Sequence, residues 1–361
     1  MQKISIVGTR GIPARYGGFE TFAEEFSQLL VRAGYQVSVQ CDPSENRPAV
    51  RNGVDLFYSP VSKTSHPLLY YYYGLRHSLG NSEIIIITGS AGALFYFLNI
   101  GRRRILITNT DGIESRRTKW SFLKRTFLKI TEMLSMKMSD IIIADSLAIE
   151  SYLKTTYGIF KPQIRVIEYG ANINAQYEES DLSRYLLKFR GYYLVVCRLE
   201  PENNVRMIIE GHLKSGSDLP LVIIGNLSRT RYIRSLRSSG RSDKVLFIGG
   251  IYNKEELNSL RYGCKAYLHG HSVGGTNPSL LEAMANGNII ICHDNQFNRE
   301  VTGDSQFYFS DVEECSLSIR KAELLSATEI ESYRNNSLRR ISDLYNWDSV
   351  LRKYINLFSS F

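Results

Sequence analysis

The sequence predicts an α/β protein made of two successive, doubly wound halves, and three observations predict it. Short β-branched runs alternate with helix-length amphipathic segments through most of the chain. Several runs are apolar at nearly every position, as in "EIIIIT" (83–88) and "DIIIAD" (140–145), which suits strands buried on both faces of a parallel sheet. The length, 361 residues, is that of roughly two domains.

In the first half the strands are expected at "KISIVG" (3–8), "YQVSVQC" (35–41), "VDLFYSP" (54–60), "EIIIIT", "RILITNT" (104–110), "DIIIAD" and "QIRVIEYG" (163–170). In the second half they are expected at "YYLVVCRL" (192–199), "PLVIIGN" (220–226), "KVLFIGG" (244–250), "AYLHGH" (266–271) and "NIIICHD" (288–294). The seam falls in the polar, strand-free stretch 171–190, dividing the chain into domains 1–172 and 173–344. Residues 327–361 read as helical, with Trp347, Val350, Leu351, Tyr354 and Leu357 at helical spacing.

Hydrophobic residues make up 43% and charged residues 22%, the balance of a soluble globular enzyme rather than a disordered chain. Five cysteines, an odd number with no C-x-x-C pair, argue for reduced thiols in a cytosolic setting and against a zinc site or a disulfide framework. The apolar run in "MQKISIVG" is too short for a signal segment, and no run is long enough to span a bilayer, so membrane contact is expected to be peripheral. The net charge of +8 favours anionic partners; the competing reading is a merely basic surface.

Ligands of doubly wound sheets sit at the carboxyl ends of the strands, and two facing sheets make an interdomain cleft there. The residues just after the strands are therefore informative. "GTRGIPARYGGFETFAEEF" (8–26) offers Gly8, Gly11, Gly17 and Gly18 ahead of a helix opened by Glu20 and Thr21, an arrangement that attracts an anion. It fails the G-x-G-x-x-G pattern at Arg10 and Pro13, which disfavours a nicotinamide cofactor even with Asp42 ending the second strand. "NTDGIESRRTKW" (109–120) brings Asn109, Asp111 and Glu114 to a turn, for sugar hydroxyls or proton transfer; the competing reading is a turn in which Asp111 caps a helix. "RRTKWSFLKRTFLKITEMLSMKMSD" (116–140) is either a basic amphipathic helix on an anionic membrane, with "LLYYYYGLRHSL" (68–79) adding interfacial tyrosines, or a core helix with a solvated cationic face.

In the second half, "CRLEPENN" (197–204) places Arg198 where its guanidinium can reach a diphosphate. "GHSVGGTNPSLLEAMA" (270–285) supplies successive backbone N–H groups at a helix start, with Asn277 as N-cap and Pro278 at the first helical position. Glu282 follows within a core-like run and needs a partner. The chain has no D-x-D and no G-x-x-x-x-G-K-[ST] motif, so metal-dependent nucleotide chemistry of those kinds is not indicated.

"CRLEPENN" followed by "GGTNPSLLEAMANG" resembles the retaining GT-B glycosyltransferases of the large family numbered four. "GTRGIPARYGGFETFAEE" with "NTDGIESRRTKW" resembles the bacterial rhamnosyltransferase-like branch that builds capsule, O-antigen and exopolysaccharide units. The resemblance implies two facing Rossmann-like domains, an acceptor-binding one joined by the C-terminal helix (about 345–361) and a donor-binding one. It implies that Arg198 contacts the donor diphosphate, Glu282 holds the ribose, Gly249 and Gly250 of "VLFIGGI" flank the base, and Gly275, Thr276 and Asn277 meet the phosphate or donor sugar. Gly17, Gly18, Phe19, Glu20, Asn109, Asp111 and Glu114 would face the acceptor, and Asp111, Arg198 and His271 the reacting centre.

Two positions depart from the family pattern. Asn203 stands where relatives have a diphosphate-binding lysine, and Gly274 where they have a carboxylate that reads the donor sugar; His269 or His271 is a candidate to replace some of those contacts. The implied reaction is metal-free transfer with retention, probing front-face attack because no carboxylate pair for double displacement is evident. The implied donor is dTDP-L-rhamnose and the implied acceptor a polyprenyl-diphosphate-linked glycan, with the enzyme peripheral on the inner face of the plasma membrane and no nucleic acid as partner. The alternatives are a UDP- or GDP-hexose donor, a nucleotide-sugar epimerase of GT-B shape, and a non-catalytic glycan- or nucleotide-binding protein.

Overall fold

The computed structural model describes residues 2–14, 17–110, 112, 121–174, 178–228, 230–240 and 242–361. The described chain forms two compact units. The first runs to Tyr169 and takes in Trp347–Phe361; the second is Gly170–Asn346.

The first unit is built on an eight-stranded sheet: β1 (Lys3–Val7), β2 (Gln36–Cys41), β3 (Val50–Arg51), β4 (Val54–Tyr58), β5 (Ile84–Thr88), β6 (Ile105–Asn109), β7 (Ile141–Ala144) and β8 (Ile164–Val166), in the order β3-β4-β2-β1-β5-β6-β7-β8. All pairs are parallel except the short β3–β4 hairpin at the edge. The all-apolar runs predict the central strands: β5 and β7 are buried at every position. The two-residue β3 carries no apolar periodicity and is not foreseen by the sequence pattern.

The helices of this unit are α1 (Gly18–Arg32), α2 (Pro67–Asn81), α3 (Phe122–Met138) and α4 (Leu147–Tyr157), and a 3-10 stretch, Ser90–Asn99, follows β5. Tyr71, Leu75 and Leu79 of α2, Ala93 and Tyr96 of the 3-10 stretch, and Leu134 and Met138 of α3 share one core over β1, β5 and β6.

The second unit carries a six-stranded, all-parallel sheet of β9 (Tyr193–Val196), β10 (Leu221–Ile224), β11 (Val245–Gly249), β12 (Ala266–His269), β13 (Ile289–His293) and β14 (Phe307–Phe309), ordered β11-β10-β9-β12-β13-β14. Its helices are α5 (Glu179–Ser183), α6 (Val205–Ser215), α7 (Arg231–Ser239), α8 (Lys254–Gly263), α9 (Pro278–Ala285), α10 (Gln296–Thr302), α11 (Val312–Glu323) and α12 (Ala327–Leu344). Val195, Ile223, Leu268 and Ile291 line its core beneath Ile208, Leu236 and Ile319.

The last helix, α13 (Trp347–Phe358), belongs to the first unit. Its buried residues Trp347, Val350, Tyr354, Leu357 and Phe358 recur at helical spacing and meet the buried stripe Phe22, Phe26 and Leu30 of α1. The Phe26 and Tyr354 rings lie 4.4 Å apart, and Phe22 touches both Tyr354 and Trp347. Burying each such aromatic is worth about 2–3 kcal/mol, enough to hold the chain's end on this unit. No described helix is long and apolar enough to cross a membrane.

Candidate active site at the strand ends of the second unit

Two loops at the carboxyl ends of β9 and β12 are bonded into one frame. The β9 loop turns through Pro201–Asn203 before α6. Asn204 Nδ2 donates to the Gly270 carbonyl at 2.8 Å, and Ser272 donates to the Glu202 carbonyl from its backbone N at 3.0 Å and its Oγ at 2.9 Å. Gly270 has no substitute here, because a Cβ on it would stand 2.2 Å from the Asn203 carbonyl oxygen. A third loop joins from β13: Asn295 and Asn298 Nδ2 groups donate to the His271 carbonyl at 2.9 and 3.0 Å. The start of α9 is tied to the end of β9, where the hydroxyls of Tyr267 and Ser279, 2.6 Å apart, lie 3.0 and 2.8 Å from the Val196 carbonyl that accepts from this pair.

Arg198 leads out of this frame with its side chain 42% exposed, its Nη1 3.8 Å from Glu200 Oε1. Asn203 is turned inward instead. It is buried, and its Nδ2 donates to the Arg198 carbonyl at 2.6 Å. The expectation that Asn203 meets the donor is thus corrected: the shorter amide closes the Arg198 loop upon itself.

Asn277 caps α9, accepting from Ser279 N at 3.0 Å, with Pro278 following as the Asn-Pro pair predicts. The cap changes the expected phosphate cradle. The N–H groups of Ser279, Leu280 and Leu281 are all taken by Asn277. The N–H groups of Gly274, Gly275 and Asn277 donate to no described residue, so the loop, rather than the first helical turn, holds the open donors. Thr276 is buried between them. Gly274 adopts a φ of +146° with open space around it. A glutamate would be strained at that φ, so the missing carboxylate comes with a backbone that disfavours one.

Glu282 finds the partner its apolar surroundings require. Arg261 of α8 reaches it through Nη2, the arginine almost fully buried and the glutamate 30% exposed. Sequence reasoning missed Arg261, because an arginine in the last turn of a helix reads as a solvated cation.

His269 and His271 stack with ring centroids 4.2 Å apart. Neither ring nitrogen of the buried His269 has a hydrogen-bond partner among the described residues. Burial, with repulsion from His293, holds its pKa down at about 3, so this imidazole is neutral. Gly249 ends β11 with its carbonyl accepting from Gly225 N at 2.9 Å, and Gly250 packs beside the Tyr252 ring. A pocket of about 700 Å³ beside β11, lined by Tyr185, Arg237, Phe247 and Ile248 among others, contains none of these site residues.

In the first unit the glycine-rich loop after β1 is filled by the protein's own carboxylates. Glu20 Oε1 accepts from Arg10 N at 3.0 Å, and Glu24 Oε2 from Ala14 N at 2.9 Å. Glu20 is 5% exposed, and Gly17 and Gly18 lead straight into α1. The expected anion site and acceptor contact at Glu20 are corrected accordingly: the carboxylate neutralises its own helix start. Asp42 is likewise occupied, accepting from Lys63 N at 2.8 Å. Phe19 is half-buried, with Lys63 Nζ 5.9 Å from its ring. Asn109 is 1% exposed, its carbonyl accepting from Gly89 N and its side chain beside the buried Tyr354 hydroxyl, so it braces the core and offers no surface to an acceptor. Asp111 and Glu114 lie outside the described residues.

Residues 187–337 match the family model described as Glycosyl transferases group 1. That match spans most of the second unit. Residues 1–71 and 80–172 match a model described as a domain of unknown function, DUF1972. Sucrose-phosphate synthase from Thermosynechococcus elongatus is similar at a TM-score of 0.84, 15% identity and full coverage of both chains. HepE from Anabaena, solved with UDP-glucose, is similar at 0.76, 15% identity and full coverage of both chains. A glycosyltransferase from Rickettsia africae is similar at 0.73 and 15% identity, over 99% of this chain and 98% of that one. No match was found among curated proteins. The fold is that of the GT-B glycosyltransferases, two Rossmann-like parallel sheets with helices.

Proposed function

We propose that this group 1 glycosyltransferase moves a sugar, L-rhamnose from dTDP-L-rhamnose, with retention onto a polyprenyl-diphosphate-linked glycan in capsule, O-antigen or exopolysaccharide assembly. The observation that carries the reading is the frame at the ends of β9 and β12, which sets the exposed Arg198, the open N–H groups of Gly274 and Gly275, and the Arg261-held Glu282 around one set of loops. A guanidinium and free backbone N–H groups suit a diphosphate, and a fixed carboxylate suits ribose hydroxyls. UDP-glucose bound to HepE, a similar fold, supports a sugar-nucleotide donor.

The leaving diphosphate, neutralised by Arg198 and the loop N–H groups, would accept the acceptor's proton as the acceptor attacks from the same face. Stabilising the charge that develops on that leaving group supplies the rate, without a metal ion as resident cofactor. Gly274 brings no carboxylate to the place where one would read a hydroxylated sugar, which suits a 6-deoxy sugar.

An anionic membrane surface on the cytoplasmic side is proposed as the place of work. Residues 59–139 hold twelve Lys and Arg against four Asp and Glu, a surplus equal to the whole chain's +8. Within that span Phe97, Ile100, Phe122, Leu123 and Ile130 are exposed. Clustered cations with protruding apolar side chains fit an anionic bilayer.

The test is incubation with dTDP-rhamnose, UDP-hexoses and GDP-hexoses, with and without lipid-linked glycan, following free nucleotide and product. Acceptor-dependent release with a retained anomeric bond supports the proposal. Release with an epimerised sugar, or binding without release, overturns it. Arg198→Ala is expected to lower turnover about 10²–10³-fold with the fold intact, and near-wild-type turnover would remove Arg198 from the mechanism.

A further inference from the structure

Arg261 and Glu282 come from different helices, α8 and α9, and meet through Nη2 and Oε2. The arginine side chain is 3% exposed. Among the described residues no other carboxylate pairs with it, and its Nε has no hydrogen-bond partner. A guanidinium removed from water in this way depends on its one carboxylate. The glutamate is in the opposite position: its side chain is 30% exposed, and Oε1 accepts from no described residue. Both charges act on the buried Tyr267 hydroxyl, which bonds Ser279 Oγ at 2.6 Å, so the pair is built into the same frame that anchors the start of α9.

We propose that Arg261 is the positioning residue for nucleoside recognition: it clamps Glu282 by one carboxylate oxygen so that the other is held and correctly turned for the hydroxyls of the donor's ribose or deoxyribose. The proposal rests on the reading of Glu282 as the ribose contact. Glutamate has three rotatable side-chain bonds, and an unheld carboxylate would lose rotamer freedom each time a ligand bound. The arginine holds that geometry before the ligand arrives. Arginine is suited to the task because it stays charged when buried and its planar fork fixes direction as well as distance; lysine supplies only a point charge.

The experiment measures calorimetric affinity for UDP against 2′,3′-dideoxy-UDP, for dTDP against its 3′-deoxy analogue, and for inorganic pyrophosphate. The wild type is expected to prefer the hydroxyl-bearing nucleotide about 10–100-fold, the range for a hydrogen bond to a charged group. Arg261→Met is expected to bring that ratio close to one while pyrophosphate affinity stays within about twofold, because pyrophosphate has no sugar to lose. Arg261→Lys is expected to fall between the two, and Arg261→Met combined with Glu282→Gln to be no worse than Glu282→Gln alone. If Arg261→Met does not fold, Arg261→Lys and Arg261→Gln carry the same ratio measurement.

A preserved ratio in Arg261→Met, with the ratio lost in Glu282→Gln, overturns the role of Arg261 and leaves the ribose reading standing. A preserved ratio in Glu282→Gln overturns the ribose reading itself. An equal loss for nucleotide, deoxy analogue and pyrophosphate in Arg261→Met shows a merely structural ion pair and also overturns the proposal. Failure of wild-type protein to bind any of the three removes the donor site and the proposal with it.

Discussion

Replacing Gly270 with alanine should unlock the frame that carries the site. The added Cβ would lie 2.2 Å from the Asn203 carbonyl oxygen and 3.0 Å from Ile208 Cδ1. Ordinary carbon contacts lie at about 3.5–4.0 Å, so one loop must retreat by about 1 Å or more. The Asn204-to-Gly270 bond, at 2.8 Å, and the two Ser272-to-Glu202 bonds, at 3.0 and 2.9 Å, cannot survive such a shift. Overpacking costs about 1–3 kcal/mol, and each of the three lost hydrogen bonds about 1 kcal/mol, giving about 4–6 kcal/mol in all. For a unit of this size that is a fall in Tm of about 10 °C, measured by calorimetry or by circular dichroism in a urea series. Gly80→Ala serves as the control. Gly80 sits in α2 with nothing within 4 Å of its added Cβ, so alanine there should be neutral or stabilise by about 0.5–1 kcal/mol. A loss below about 1 kcal/mol at Gly270 would mean that the two loops are slack, and that their hydrogen bonds do not hold Arg198 in place.

Further outcomes follow from charge and surface. His269 has a folded pKa near 3, below the ordinary value of 6.5, so the unfolded chain binds the extra proton. Its contribution to stability is present above about pH 6.5 and declines as pH falls towards 3, by about 1 kcal/mol per pH unit. His77, His212 and His293 are shifted downwards too and add to the same slope, whereas Asp294, lowered by Arg299, acts only in a more acidic range. His269→Phe should therefore flatten the pH 6–4 unfolding profile; an unchanged slope would contradict the neutral, buried assignment. For the membrane face, changing both Phe122 and Leu123, each 80% exposed, to serine should leave Tm within about 1 °C and reduce affinity for phosphatidylglycerol vesicles, read by sedimentation, about 10²–10⁴-fold, from about 1.5–3 kcal/mol per side chain. Undiminished sedimentation would move the membrane contact elsewhere.

The all-apolar runs at 83–88 and 140–145 made the parallel sheets legible, since only strands covered on both faces tolerate such sequences. The Asn277-Pro278 pair marked the start of α9, because an N-cap and a fixed φ are local properties. The spacing of Trp347, Val350, Tyr354 and Leu357 showed a helix with one apolar face, but its partner, the aromatic stripe of α1, lies more than three hundred residues away and became known only in three dimensions. The same limit applies to the site. Sequence determined that a carboxylate, Glu282, sits in an apolar run and needs a partner; it could not say that Arg261 is that partner, that Glu20 and Glu24 fill the first glycine-rich loop, or that Asn203 folds back on Arg198. Period, capping and turn chemistry act within a few residues and are written into the chain. Which buried charge meets which, and which loop touches a glycine, depend on contacts between distant segments, and those were decided by the tertiary structure alone.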